Sequence, residues 1–283
     1  MCFVKVTWRF LNHAVLVMVD VVFLKLGGSL ITDKTGVEAV RPAVLARLAR
    51  EIEEARRARP GLPLLLGHGS GSFGHVAAAR YHTRQGVQTA EQWHGFAAVS
   101  AAAARLNRLV VEALLAAGVP AITLQPSASA VCQDGRLVSL ALEPVRRSLA
   151  AGLVPVVYGD VAFDEGRGGT IISTEEIMTF LATGVQPSWL LLAGETAGVL
   201  DEQGGVVPLI TPANFEEIRP ALGGSRGTDV TGGMASKVRG MLDLVESRPQ
   251  LKIRIFSGLE AGAVTQALLR PAAGAGTVIC KHR

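Results

Sequence analysis

Short, unbroken apolar runs alternate along this chain with longer stretches in which apolar residues recur every three or four positions. The runs at 21–26, 62–66, 121–124, 154–158, 189–193 and 253–256 lack the in–out alternation of a half-exposed strand. They read as strands covered on both faces. The stretch 42–59 is a charged amphipathic helix with Leu45, Leu48, Ala49 and Ile52 on one face. The Ala-rich stretch 90–117 is helical, with Gly118 and Pro120 as stop signals, and further helices are expected over 174–183 and 234–246. Strands buried on both faces and alternating with helices imply an α/β, three-layer sandwich around a mainly parallel central sheet. Residues 184–188 mark the expected junction between two lobes, 18–185 and 186–283.

Composition supports a packed fold and narrows its partners. With 283 residues, 49% of them hydrophobic and 18% charged, the chain has core enough for one large unit or two joined lobes. The net charge is only +4, and the arginines of 56–59 and 146–147 are not interleaved with aromatics. Nucleic acid is therefore not expected as a partner, whereas a pocket for a small phosphorylated molecule uses such charge economically. Cys2, Cys132 and Cys280 are far apart and match no metal-ligand spacing, so a reducing cytoplasm is the expected setting. The apolar run at 14–19 is interrupted by Asp20 and precedes no clear cleavage site, so neither a membrane span nor a signal peptide is expected. Residues 1–17 read as an extension ahead of Met18, the expected natural start; finding Met1 on the native protein would remove that reading.

Four segments carry candidate chemistry. From Gly67 to His75 the chain reads Gly-His-Gly-Ser-Gly-Ser-Phe-Gly-His, a glycine-rich turn able to present N–H groups to an anion. It contains a literal dinucleotide pattern at Gly69, Gly71 and Gly74. The acid that should follow at a strand end is Glu91, in a helical context, which argues against a nicotinamide cofactor. The first strand delivers Lys25, Gly27, Gly28 and Ser29, with Lys34 nine positions after Lys25. Two lysines beside exposed amides suit a polyphosphate, although Lys34 alone could be a solvated loop residue. Gly159 and Asp160 sit at a strand's carboxyl end, where Asp160 could orient the lysines, approach a metal or cap a turn. Thr231, Gly232 and Gly233 precede a helix carrying Lys237, a second anion cradle favoured by the helix dipole; capping explains Thr231 by itself.

Together these segments resemble the amino acid kinase superfamily, and within it the isopentenyl phosphate kinases, over nearly the whole chain from about Val21 to Ile279. The glycine and lysine motifs are widely shared in the superfamily, and the terminal His75 is the discriminating residue. The resemblance implies a lobe at 18–185 that binds a phosphate acceptor and a lobe at 186–283 that binds ATP. It implies that Lys25 and Lys237 hold the ATP phosphates, that Lys34 stabilises the transferring group, and that Asp160 orders the lysines. Gly27, Gly28, Ser29, Ser70, Gly232 and Gly233 would join the ATP site. His75 would donate to the acceptor phosphate, with Gly69 and Gly159 lining its site. Mg²⁺ would bridge the ATP phosphates, with no protein metal site assigned, and a homodimer through the N-terminal lobe is expected.

The chain departs from the family pattern at three places. Ser70 stands where many relatives have glycine, 173–176 reads Ser-Thr-Glu-Glu in place of Gly-Asp-Asp, and 194–198 carries Glu195 where two aspartates are usual. Trp93, Phe96 and Val99 lie on one helical face and could form a slot for an apolar tail, or simply pack the core. His68 reads as a residue satisfied by backbone, and His82 and His94 as surface positions. The rival readings are a kinase of the same fold acting on fosfomycin or another small phosphonate, and a catalytically silent nucleotide-binding regulator.

Overall fold

The computed structural model describes residues 20–33, 35–221 and 233–282. The 1–17 extension, Lys34, Thr231 and Gly232 lie outside the described residues, as does the side chain of His75.

The N-terminal part opens on β1 (Val22–Leu26), the short α1 (Gly28–Ile31), α2 (Pro42–Ala58), β2 (Leu64–His68), α3 (Gly71–Tyr81) and α4 (Ala90–Ala116). Then follow β3 (Ala121–Thr123), β4 (Val131–Gln133), β5 (Arg136–Ser139) and α5 (Glu143–Ala150). β6 (Val154–Tyr158), β7 (Asp160–Asp164), β8 (Gly168–Ile172) and α6 (Thr174–Val185) complete it. The C-terminal part has β9 (Trp189–Gly194), β10 (Leu209–Ile210), α7 (Phe215–Ile218) and α8 (Gly233–Ser247). It ends with β11 (Lys252–Ser257), α9 (Ala263–Leu269) and β12 (Thr277–Ile279).

Eight strands share one sheet in the order β10-β12-β11-β9-β1-β2-β6-β3. All pairs are parallel except β11 with β12. β1 is central: its Leu24 sits opposite Leu66 on one side and Leu191 on the other. Because side chains alternate along a strand, Val22, Leu24 and Leu26 point to the layer of α2, α4 and α9, where Leu48, Val110 and Leu268 are buried. Phe23 points to the opposite layer, against apolar residues of α5, α6 and α8 such as Leu149, Met178 and Leu242. The three-layer sandwich expected from the apolar runs is the fold that forms.

A second sheet has the order β5-β4-β7-β8 and was not foreseen. Its strands β4 and β5 have three and four residues and are only partly buried, so they carry no apolar run to mark them. Among the described residues no helix is long and apolar enough to cross a membrane.

Helix α4 starts on a reciprocal cap: Thr89 Oγ1 accepts from the Gln92 N–H, and Gln92 Oε1 accepts from the Thr89 N–H. Thr89→Ala leaves orphan donors at the start of the helix that packs against α3 and should cost about 1 kcal/mol of stability. Urea denaturation checks this; an unchanged midpoint would show that the cap contributes nothing.

Candidate active site

The parallel strands β1, β2, β6 and β9 end at one edge of the sheet, where open α/β sheets gather ligands. There β1 runs into Gly27 and Gly28, β2 into Gly69 and Ser70, and β6 into Gly159 and Asp160. Backbone bonds lock the ends together: the Gly69 N–H donates to Leu26 O at 3.0 Å, and the Gly27 N–H to Ala193 O at 2.8 Å. The first two turns touch. A Cβ on Gly28 would lie 2.4 Å from the Gly71 nitrogen, so backbone meets backbone there. Gly71 also has φ +48°, in the left-handed region that favours glycine.

That dihedral corrects the breadth expected of the glycine-rich loop. Gly67 and His68 are the last residues of β2, and Gly71 to His75 already belong to α3. The chain swings directly from strand into helix, so the anion-facing element is a helix N-terminus rather than a wide nest. Ser70, the N-cap, makes no side-chain capping bond. The Ser72 N–H is taken by Thr32 Oγ1 at 3.0 Å. The Ser70 and Gly71 N–H groups have no protein acceptor among the described residues. Two free donors at the positive end of an 11-residue helix suit a phosphate.

Strand alternation turns Lys25 away from Leu24 and Leu26, to the side of α6. Its Nζ lies 2.6 Å from Glu175 Oε1. Glu175 stands in the first turn of α6, which is fixed by a reciprocal cap between Ser173 and Glu176. Burial works against the ionised form of Glu175. The charge and hydrogen bond of Lys25, with a further contribution from Lys237 of α8, outweigh it and hold the carboxyl below its ordinary value. Glu175 thus pairs with Lys25 and also feels the charge of Lys237.

Sequence reasoning gave the role of ordering the lysines to Asp160. Asp160 is buried, its Oδ2 accepting from the Ser127 N–H at 3.2 Å and its Oδ1 from the Val161 N–H at 2.9 Å. The bond to Lys25 comes instead from a residue 150 positions away that read only as a departure from the family pattern. Its signal was the double acid at the start of a predicted helix. Glu176 serves the cap and pairs with Arg84 at 3.1 Å, and Glu195 pairs with Arg41 at 3.0 Å. Gly159 packs beside the same helix start, where a Cβ would lie 3.5 Å from the Thr174 nitrogen.

The predicted apolar residues do converge. Trp93 and Phe96 of α4 pack edge to face at 5.2 Å between ring centroids. Phe163 of β7, which sequence reasoning missed, lies 5.5 Å from Phe96 and 6.0 Å from Trp93. Phe96 and Val99 are buried with Val87 and Val161, and Ala78 of α3 packs against them. Trp93 and Phe163 stay at the rim, Phe163 being 56% exposed. The cluster therefore adjoins the helix that carries His75. His82 and His94 are exposed, as expected.

The chain matches the model of the amino acid kinase family over residues 20–257. It is 42% identical over 226 residues to an isopentenyl phosphate kinase of Haloferax volcanii, spanning 80% of this chain and 88% of that one. It is 33% identical over 271 residues to an isopentenyl phosphate kinase of Methanothermobacter thermautotrophicus, covering 92% of this chain and all of the relative. Among solved structures, an isopentenyl phosphate kinase superposes with a TM-score of 0.78 at 30% identity, over 92% of this chain and 99% of its own. With motifs, fold and relatives in agreement, this chain belongs to the amino acid kinase family and groups there with the isopentenyl phosphate kinases.

Proposed function

We propose that the protein transfers the γ-phosphoryl group of ATP to isopentenyl phosphate, giving isopentenyl diphosphate and ADP for isoprenoid synthesis. The observation that carries this reading is the Lys25–Glu175 pair, with Lys237 near it, beside two free amides at the start of α3. In the transfer, a terminal phosphate oxygen of the acceptor forms a bond to the γ-phosphorus while the bond to the β–γ bridging oxygen breaks. The acceptor is already anionic near neutral pH, so no general base is needed. Catalysis is alignment and charge neutralisation.

Each residue has a role within that scheme. Lys25 and Lys237 hold the ATP phosphates, and Lys34 stabilises the transferring group. Gly27, Gly28, Ser29, Ser70, Gly232 and Gly233 surround the nucleotide's phosphates. Gly69 and Gly159 line the acceptor site, and His75 donates a hydrogen bond to its phosphate. Trp93 and Phe96 flank the five-carbon tail, and the position of Phe163 adds it to that wall. Among the described residues no three carboxylate, histidine or cysteine side chains converge as a metal site, and Glu175 and Glu195 already face cations. Mg²⁺ would enter bound to the ATP phosphates and neutralise their charge. A cytoplasmic homodimer, with acceptor and nucleotide lobes meeting near 185, completes the proposal.

The test is purified protein with ATP and Mg²⁺ offered isopentenyl phosphate, dimethylallyl phosphate, fosfomycin, UMP and acetylglutamate in turn. Turnover is expected with isopentenyl phosphate. Turnover of fosfomycin without isopentenyl phosphate would overturn the assignment, and ATP binding with no turnover of any acceptor would mark a regulator.

A further inference from the structure

His68, the last residue of β2, is fully buried and has no part in the phosphoryl transfer described above. Its ring lies with Nδ1 3.1 Å from Gly69 O and Nε2 3.1 Å from Asn107 Oδ1. Asn107, buried in α4, donates through Nδ2 to Thr123 Oγ1 at 2.8 Å. On its flat side the imidazole stacks on Tyr158, with centroids 5.5 Å apart and planes 9° from parallel. Its backbone carbonyl accepts from Thr174 Oγ1 at 2.6 Å, which ties β2 to the start of α6.

The proton count in this cluster is decisive. Burial, with a smaller push from the Lys25 charge, lowers His68 to about 4 despite its two hydrogen bonds, so the ring is neutral at working pH. A neutral imidazole donates once. Gly69 O can only accept, so the proton belongs on Nδ1. Nε2 must then accept, which turns the Asn107 amide so that its NH₂ faces the ring and its oxygen takes the Thr123 hydroxyl. That exchange of two nearly isosteric amide ends satisfies every group.

The peptide plane carries the consequence to the site. The Gly69 carbonyl and the Ser70 N–H belong to one planar trans peptide and point in opposite directions. Holding the Gly69 oxygen inward on His68 Nδ1–H aims the Ser70 N–H outward. That is one of the two amides at the start of α3 with no protein acceptor among the described residues.

We propose that His68 is a positioning residue for phosphoryl transfer: its Nδ1–H bond to Gly69 O sets the peptide that presents the Ser70 amide to a substrate phosphate. This rests on the kinase reading for its activity test, but not for its spectroscopic one.

Two amide substitutions, each placing a polar group near one ring nitrogen, separate the ring's two bonds. His68→Asn keeps a donor where Nδ1 was and loses the Asn107 contact, whereas His68→Gln keeps the Asn107 contact and loses the donor to Gly69. His68→Asn is expected to stay within about 5-fold of wild-type kcat, and His68→Gln to fall 10-fold or more, as loss of one aligned donor implies. This order should hold even if thermal unfolding ranks the two variants differently. Equal kcat values, or Gln above Asn, would overturn the proposal, since a packing role makes activity follow stability. If neither variant folds, two-bond ¹H–¹⁵N spectra of wild-type protein from about pH 6 to 8 decide it. A neutral Nδ1–H tautomer is expected, and an Nε2–H tautomer would overturn the assignment. Failure of wild-type protein to phosphorylate isopentenyl phosphate would sink the kinase reading and leave the tautomer result standing.

Discussion

Lys25→Met is expected to lower kcat for isopentenyl phosphate by on the order of 10³-fold, with a smaller change in the acceptor's KM. Methionine keeps most of the side-chain volume but removes the charge proposed to hold the ATP phosphates during transfer, and a single preorganised donor or cation is worth about 10²–10³-fold in rate. A second effect adds to the first, because Glu175 would be left in the cleft without its 2.6 Å partner and would repel the nucleotide. Steady-state kinetics with a thermal-unfolding control measures this, and a loss below about 10-fold would remove Lys25 from the reaction. Glu175→Gln leaves the cation but loosens its anchor, so a smaller loss of about 10-fold is expected. The same variant tests the electrostatics. Glu175 is held below the usual glutamate value of 4.5, so its stabilising contribution is present above that value and is lost as pH falls through its lower folded value. Wild-type Tm should therefore drop more steeply than that of Glu175→Gln between about pH 5 and pH 3.

His75→Ala is expected to lower kcat/KM for isopentenyl phosphate by about 10²-fold, the scale of one lost transition-state donor. His75→Gln should retain more activity than the alanine variant, because its amide can still donate to the acceptor phosphate. The KM for ATP should move little in either. His75 lies in α3 just past its first turn, close to the free amides of Ser70 and Gly71. Equal, near-wild-type activity in both variants would show that the acceptor phosphate is bound elsewhere.

The parts of this molecule that could be read from the chain are those whose cause is local. The buried strands announced themselves because 154–158 and 189–193 are apolar on both faces, and α2 because Leu45, Leu48 and Ile52 repeat at helical spacing. Lys25 could be read as the polar end of such a strand. Its partner could not, since Glu175 reaches it only through the packing of α6 against the end of β1. Phe163 escaped for a related reason. It is the outward position of a strand whose other residues are buried, and only the sheet places it beside Trp93 and Phe96. The span of 67–75 was misjudged because glycine content marks where a chain can turn but not how soon a helix resumes. His68 read as a satisfied core residue, which it is; that its bond orients a peptide facing the cleft is visible only once the ring's neighbours are known.

The contact between Gly28 and Gly71 also shapes how this enzyme can change over generations. A seam of bare backbone leaves no side chain to trade, so any coding change at either position replaces glycine with something that does not fit. Drift and selection are thereby diverted to the neighbouring wall of Trp93, Phe96 and Phe163, where one ring can be exchanged for another without parting the two turns. If that wall holds the acceptor's tail as proposed, new acceptors should arise by recarving it while the glycine seam stays fixed.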